Sequence, residues 1–229
     1  MRKTVFADNH FYHIYNRGVE KRNIFLDESD YFRFIRILFE FNDVNSVFLR
    51  DRDRCRGRTS ANGEKQKRDR LVEIICFCLM PNHFHLLLNQ KREGGIVKFM
   101  QKLGTGYTMY FNTKNKRDGV LFQGAFKSIP IESDEYLIYL SSYIHLNPVE
   151  LKEPRWKEEG IKNWKAIGQF LGQYRWSSYP DYLGKKNFPY ITNRNFLIEY
   201  FGDKEKYKQF VNSWLIKDWE KVKSLTFES

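Results

Sequence analysis

Cysteine is scarce in this chain of 229 residues, which contains three: Cys55, Cys76 and Cys78. They are too few and too poorly spaced for a disulfide framework or for a four-cysteine zinc site. Proteins of the cytosol keep such thiols reduced. The sequence therefore predicts free cysteines in a cytosolic protein.

Long apolar runs are also missing. The opening segment MRKTVFADNH lacks the apolar core of a secretory signal, so we expect no export. The most apolar stretch, residues 71–88, is interrupted by Glu73, Pro81, His83 and His85, which argues against a membrane span. With 41% hydrophobic and 17% aromatic residues, the chain nevertheless has enough apolar surface to fold.

Positive charge, in contrast, is abundant: 39 Lys and Arg stand against 28 Asp and Glu, a formal net charge of +11. Lys and Arg gain by displacing counterions from phosphates, so a polyanion is the expected partner, whether DNA, RNA or anionic lipid. Residues 50–70 contain nine basic and four acidic residues without apolar periodicity, which predicts a loop insertion over residues 44–70. Arg54, Arg56 and Arg58 are candidates to contact backbone phosphates. A solvated insertion without specific contacts is the equal alternative.

Hydrophobic periodicity predicts the order β-α-β-β-α-β, followed by another helix. Turn chemistry at Pro81 and Asn82 joins the central strands as a hairpin. Ser133 is a good N-cap for the helix that starts at residue 134, and Pro148 requires that helix to end near Asn147. This order is that of the ferredoxin-like split βαβ fold, an α+β antiparallel sheet backed on one face by helices. The predicted elements cover residues 11–17, 30–41, 71–79, 83–89, 96–112, 119–131 and 134 to about 147.

The last part of the chain differs in composition, because every tryptophan lies beyond Glu150. An amphipathic helix is predicted around residues 204–222. We interpret residues 1–152 as a catalytic domain and residues 153–229 as a mostly helical extension, with an aromatic core of its own, packed on that domain. The five tryptophans are Trp156, Trp164, Trp176, Trp214 and Trp219.

Two histidines at strand spacing are the sharpest chemical feature. His83 and His85 project from the same face of the predicted strand, while Phe84 projects from the other. Two such imidazoles can share one divalent ion. Taken alone, such a pair is more often a hydrogen-bonded or surface pair. This pair interrupts an apolar hairpin, where burying an imidazole without a hydrogen-bond partner would cost about 1–3 kcal/mol. That context favours a metal site.

The helix that begins at residue 134 carries a stripe of tyrosines. At about 100° per residue, Tyr136, Tyr139, Tyr143 and Asn147 fall on one narrow face. Tyr143 and Asn147 are i, i+4 neighbours, so a phenol and a carboxamide oxygen can point at the same place. Tyrosines beside an apolar stripe are also common as core or boundary residues. The geometry permits a tyrosine nucleophile beside an oxygen-donating ligand without selecting it.

Five segments together resemble a known family. In chain order, HFYHIYNRG, CLMPNHFHLLL, YTMYFN, GVLFQGAFKS and YLSSYIHLNPVE closely resemble the single-tyrosine HUH transposases, most of all the REP-associated tyrosine transposases. The resemblance extends over residues 11–152. Its specific part is the histidine pair after Pro-Asn combined with the later Tyr-Ile-His-Leu-Asn-Pro, which selects Tyr143 from the three tyrosines.

The resemblance implies a metal-dependent single-strand DNA endonuclease and strand transferase. His83 and His85 would hold Mg²⁺ or Mn²⁺, with Asn147 in the third-ligand position, where relatives often have glutamine. Tyr143 would be the nucleophile and form a covalent 5′-phosphotyrosine intermediate with a free 3′-hydroxyl. Such a transesterification conserves bond energy and needs no ATP, which is consistent with the absence of a GxxxxGK[ST] sequence.

The family layout also implies DNA contacts. Arg17 and Lys127 are expected to meet phosphates, and Gln123 either reads a base or bonds backbone. His13 faces the sheet core or the site, and we favour a structural role. Single-stranded or hairpin DNA is the implied substrate of a cytoplasmic, nucleoid-associated protein. Homodimers and monomers both occur among such transposases, so the oligomeric state stays open.

Two alternative functions remain. A domesticated relative would bind structured nucleic acid without cleaving it, in a salt-sensitive manner indifferent to EDTA. A metal phosphodiesterase would use water as its nucleophile, and Tyr143 would then be structural. A phosphoesterase with two HxH motifs is disfavoured, because the sequence contains only one.

Overall fold

The computed structural model describes residues 4–45 and 68–216. Its strands are β1 Phe11–Arg17, β2 Val72–Met80, β3 His83–Gln90 and β4 Lys127–Ile131. Its longer helices are α1 Glu28–Glu40, α2 Gly95–Lys114 and α3 Asp134–Leu146. Further helices follow: α4 Trp156–Glu159, α5 Trp164–Leu171, α6 Tyr179–Tyr182, α7 Asn195–Phe201 and α8 Lys204–Trp214. Short 3₁₀ turns span Val19–Lys21 and Asn147–Leu151.

Within this part of the chain the strands form one four-stranded sheet in the order β2-β3-β1-β4. Each neighbouring pair is antiparallel, and the Pro81-Asn82 turn joins β2 to β3. Helices α1 and α2 provide the two crossover connections. This is the strand order of the split βαβ plan, so the predicted α+β fold class is confirmed. Of the predicted extended segment 119–131, only its last five residues form a strand.

Helices cover both faces of the sheet. The two crossover helices pack on one face, against side chains such as Ile14, Leu86 and Leu88. Helix α3 packs on the other face, against Cys76 and Leu87 among others. Because both faces are buried, β2 is almost continuously apolar rather than alternating, and β3 carries the unbroken apolar run 86–88. The prediction of helices on one face is therefore correct for the crossover helices α1 and α2. Helix α3 and the C-terminal helices form a second layer on the opposite face.

Local chemistry fixes the ends of the helix that carries the tyrosines. The Ser133 hydroxyl oxygen accepts a hydrogen bond from the backbone N–H of Tyr136, which caps the first turn as predicted. Helix α3 ends at Leu146, two residues before Pro148, and continues as a 3₁₀ turn. Asn147 keeps helical backbone angles (φ −48°, ψ −39°), but Pro148 has no backbone N–H to continue the α-helical hydrogen bonds. The helix is therefore bounded on both sides by its own sequence.

Gly104 and Gly106, in the interior of α2, do not interrupt the helix. A Cβ atom at Gly106 would collide with the ring of Phe41, at the end of α1. Glycine lowers helix propensity by about 1 kcal/mol relative to alanine. Here the missing side chain allows the chain after α1 to approach α2 closely. Gly104, in contrast, has no atom within 4 Å of an added Cβ.

The C-terminal residues share a core with the sheet. Trp156, Tyr182 and Trp214 pack in the same apolar cluster as Cys76 and Leu87. The expectation that the extension has an aromatic core of its own is therefore wrong: these side chains complete the core beneath α3, whereas Trp176 stacks on Tyr31 of α1 in the core of the other face. No helix among residues 4–45 and 68–216 is long and apolar enough to span a membrane.

A buried polar network holds this layer in place. His145, on α3, makes hydrogen bonds of 2.8 Å through both ring nitrogens, to the hydroxyl of Tyr207 and to that of Ser178. The Ser178 hydroxyl oxygen also accepts from the backbone N–H of Phe77 in β2. Burial lowers the pKa of His145 to about 3, so the ring is neutral. One side chain thus connects the sheet, α3 and the C-terminal helices.

Candidate active site

The two histidines of the HxH motif lie side by side on β3. The ring centroids of His83 and His85 are 5.0 Å apart, with ring planes nearly perpendicular at 88°. His85 is 2% exposed, whereas His83 is half-buried at the strand end. Both side chains face the layer formed by α3, as the strand alternation predicts.

One nitrogen of each imidazole is already engaged. A hydrogen bond of 2.6 Å joins His83 Nδ1 to Asn82 Oδ1, and one of 2.9 Å joins His85 Nδ1 to His13 Nε2. Burial lowers the pKa of His85 well below its usual value, and the nearby His83 and Lys157 add to this effect. His85 is therefore neutral, which is the form that ligates metals.

His13 lies in the site rather than in the sheet core alone. It projects from β1 on the same face as Tyr15, whose ring stacks against that of His85 with centroids 5.8 Å apart. The strand register sets this arrangement, because Tyr15 lies opposite His85. The alternation of His13, Tyr15 and Arg17 along β1 is the sequence pattern from which their shared face could have been predicted. Assigning His13 to a structural role left it out of the predicted site.

Tyr143 lies above the histidines. Its ring centroid is 6.1 Å from that of His85 and 6.5 Å from that of His13, in edge-to-face geometry. The side chain is 4% exposed. Tyr139, one turn earlier on α3, packs against Trp214 instead, with centroids 5.0 Å apart. The fold thus places Tyr143, rather than its neighbour, in ring contact with the histidines.

Asn147 follows the last turn of α3. Its side-chain Nδ2 donates a hydrogen bond of 2.9 Å to the backbone carbonyl of Tyr143, and the residue is buried. In the described ranges, no three His, Cys, Asp or Glu side chains form a cluster that could hold a metal ion. A third protein ligand from these residues would therefore have to be an oxygen of another kind, such as Asn147 Oδ1.

Lys157 is a site residue that the sequence did not indicate. Its Nζ atom is 3.5 Å from the hydroxyl oxygen of Tyr143 and 5.2 Å from the centre of that ring. Lys157 belongs to the short helix α4, fourteen residues after Tyr143 along the chain. No helical or strand spacing relates the two positions, so only the tertiary fold could reveal the contact.

The predicted DNA-contacting residues described by the structure gather at the histidine end of the sheet. Arg17 lies opposite His83 in the strand register. Its guanidinium donates to Gln123 Oε1 at 3.2 Å. Lys127 lies opposite Tyr15, with its Nζ atom 5.9 Å from that ring. The remaining predicted contacts, Arg54, Arg56 and Arg58, lie outside the described residues.

Parts of this chain resemble known proteins. Residues 45–147 match the family model described as "Transposase IS200 like". A REP-associated tyrosine transposase bound to a REP hairpin is 12% identical, with a TM-score of 0.48 over 84% of this chain and 90% of that chain. A candidate transposase from Deinococcus radiodurans is 15% identical, with a TM-score of 0.36 over 63% and 95%, respectively. No curated protein sequence matches significantly.

The matched family segment contains both histidines of the motif, Tyr143 and Asn147. Because both TM-scores are below 0.5, the fold assignment rests on the strand order and pairing described above. The resemblance predicted from the sequence is confirmed: residues 45–147 match the IS200-like transposases.

Proposed function

We propose that this protein is a metal-dependent single-strand DNA endonuclease and strand transferase that forms a 5′-phosphotyrosine bond through Tyr143. The observation that carries the proposal is the position of the Tyr143 phenol beside the buried ring of His85, whose centroid is 5.0 Å from that of the half-buried His83. A phenol in that position serves as a nucleophile once an adjacent cation or base promotes loss of its proton.

The residues present fit a divalent cation. Because Nδ1 of His83 and of His85 is engaged, each would offer its Nε2 atom. Ligating histidines usually hold their second nitrogen in this way, which fixes the ring orientation. Asn147 Oδ1 would complete the protein ligands, and bound Mg²⁺ or Mn²⁺ would supply a Lewis acid for the scissile phosphate.

His13 would act on the metal site through His85. With His85 Nδ1–H donating to His13 Nε2, the tautomer of His85 that presents Nε2 is selected. Both rings are buried, so water does not compete for this bond. We therefore assign His13 as a positioning residue, in place of the purely structural role expected from the sequence.

Single-stranded or hairpin DNA is the proposed substrate. Arg17, Gln123 and Lys127 frame the histidine end of the sheet, where they would hold phosphates and an exposed base edge. Arg54 and its neighbours in the basic insertion would add backbone contacts. The structural relative bound to a REP hairpin is consistent with such a partner.

The first experiment uses labelled hairpin oligonucleotides with Mn²⁺, including the DNA that flanks the gene, on a denaturing gel. We expect a slowed, protease-sensitive DNA–protein band that disappears with EDTA and in Tyr143→Phe. Tyr139→Phe, which removes the same atom one turn away, is the matched control and should retain the band. Tight binding without any band would instead favour a protein that only binds structured DNA.

A further inference from the structure

We propose that Lys157 is a catalytic residue of this site, contributed by the C-terminal part of the chain, whose ammonium group stabilises the negative charge shared by the Tyr143 oxygen and the scissile phosphate during attack. The inference rests on the proposed function and adds to it a residue outside the matched family segment, which ends at residue 147.

The first support is direct contact with the reacting atom. Lys157 Nζ lies 3.5 Å from the Tyr143 hydroxyl oxygen, within reach of the position where the phosphate must approach. The ammonium group is also close enough to His85 to contribute to lowering the pKa of that ring. Lys157 therefore lies near both the nucleophile and the imidazole that would hold the metal.

The second support is the missing counter-charge. Among residues 4–45 and 68–216, Lys157 makes no ion pair with a carboxylate. On the same helix turn, Glu159 forms ion pairs with Arg155 and Lys162 rather than with Lys157. Beside the Tyr143 hydroxyl and the neutral ring of His85, this cation is best satisfied by an incoming anion. A phosphodiester is that anion in the proposed reaction.

The third support is that the backbone around Lys157 is anchored in the core. Trp156, the preceding residue, is 2% exposed and packs in the core beneath α3. Its backbone N–H donates to the carbonyl of Glu153, and the Gly160 N–H donates to the Trp156 carbonyl. The backbone that carries Lys157 is thus fixed to the same core as Tyr143. A preorganised cation of this kind needs little rearrangement during the reaction.

The chemical step balances without further reactants. The Tyr143 O–H bond breaks and its proton leaves to water, while the tyrosine oxygen forms a bond to phosphorus. The bond from phosphorus to the 3′-oxygen breaks, and that oxygen takes a proton from water. Lys157 keeps its own protons throughout and acts only through its charge and hydrogen bonding.

The test measures single-turnover adduct formation at saturating hairpin DNA and Mn²⁺. Lys157→Met should slow the rate roughly 100-fold, the usual loss for one such donor, with DNA affinity and the melting temperature nearly unchanged. Lys157→Arg, which keeps the cation, should recover most of the rate. Lys165→Met, which removes an exposed charge from the same C-terminal part, should cleave at the wild-type rate.

Resealing supplies a second readout. The tyrosine oxygen is the leaving group in the reverse reaction, so Lys157→Met should slow resealing by a similar factor and leave the cleavage equilibrium unchanged. A wild-type rate in Lys157→Met, or an equal loss in Lys157→Arg, would overturn the role. If the wild-type protein itself forms no adduct, the proposed function fails instead, and the two failures are therefore distinguishable.

Discussion

The two faces of the sheet differ in chemistry although the same strands supply both. On β3, Leu86 and Leu88 point into the core formed with α1 and α2, which is apolar. His85, the residue before Leu86, points to the opposite face, towards α3, and meets His13 and Tyr143. A one-residue alternation thus separates side chains that stabilise the fold from side chains that are able to perform chemistry. The comparison predicts that substitutions at neighbouring positions of β3 affect different properties: adduct formation on one face and stability on the other.

The largest expected effects come from His85→Ala and Leu86→Ala. His85→Ala should reduce metal-dependent adduct formation by roughly 100-fold or more, because one of the two proposed imidazole ligands is lost. Leu86→Ala should instead lower the free energy of unfolding by about 2–5 kcal/mol, because it leaves a cavity in a closely packed core. Urea unfolding and the gel assay measure both quantities for both variants. If Leu86→Ala abolished cleavage while it was still folded, the two faces would not be functionally separate.

A smaller effect is expected at the hydrogen bond between His13 and His85. His13→Ala should weaken Mn²⁺ binding about 10- to 100-fold, the usual loss when the partner of a ligating histidine is removed. His13→Gln, whose amide oxygen still accepts a hydrogen bond, should retain most of the affinity. Calorimetric titration with Mn²⁺ in the absence of DNA gives this readout independently of cleavage. Equal affinity in all three proteins would return His13 to a structural role.

The smallest effect concerns pH. Burial lowers the pKa of His145 to about 3, below the value of about 6.5 in an unfolded chain. The unfolded state therefore binds more protons between these values, and the contribution of His145 to stability should fall by about 1.4 kcal/mol per unit as pH falls from about 6.5 towards 3. Urea unfolding at pH 7.0 and 5.5 measures the slope. His145→Gln should reduce it, and an unchanged slope would contradict this assignment.

Local patterns predicted the elements that depend on local chemistry. The bounds of β1 agree with its alternation, and the Ser133 cap and the turn at Pro81 lie where expected. The histidine pair also shares one face of β3, since strand geometry alone decides this. These features need only the spacing of a few neighbouring residues.

The remaining features depend on long-range packing. His13 reaches His85 across 72 positions of the chain, through the register of β1 and β3. Lys157 approaches Tyr143 because Trp156 is buried beneath α3, and no periodicity in the sequence encodes that placement. The shared C-terminal core was missed for the same reason: the tryptophans indicated burial but not the surface against which they pack.

The hydrogen bonds of His145 have a practical consequence for shortening the chain. A protein cut near residue 152 would lose Ser178 and Tyr207, and both nitrogens of a buried ring would lose their partners two residues from Tyr143. It would also lose Lys157. A shortened version for fusion or display should therefore keep the C-terminal helices, because they complete the buried layer around α3 and the candidate active site.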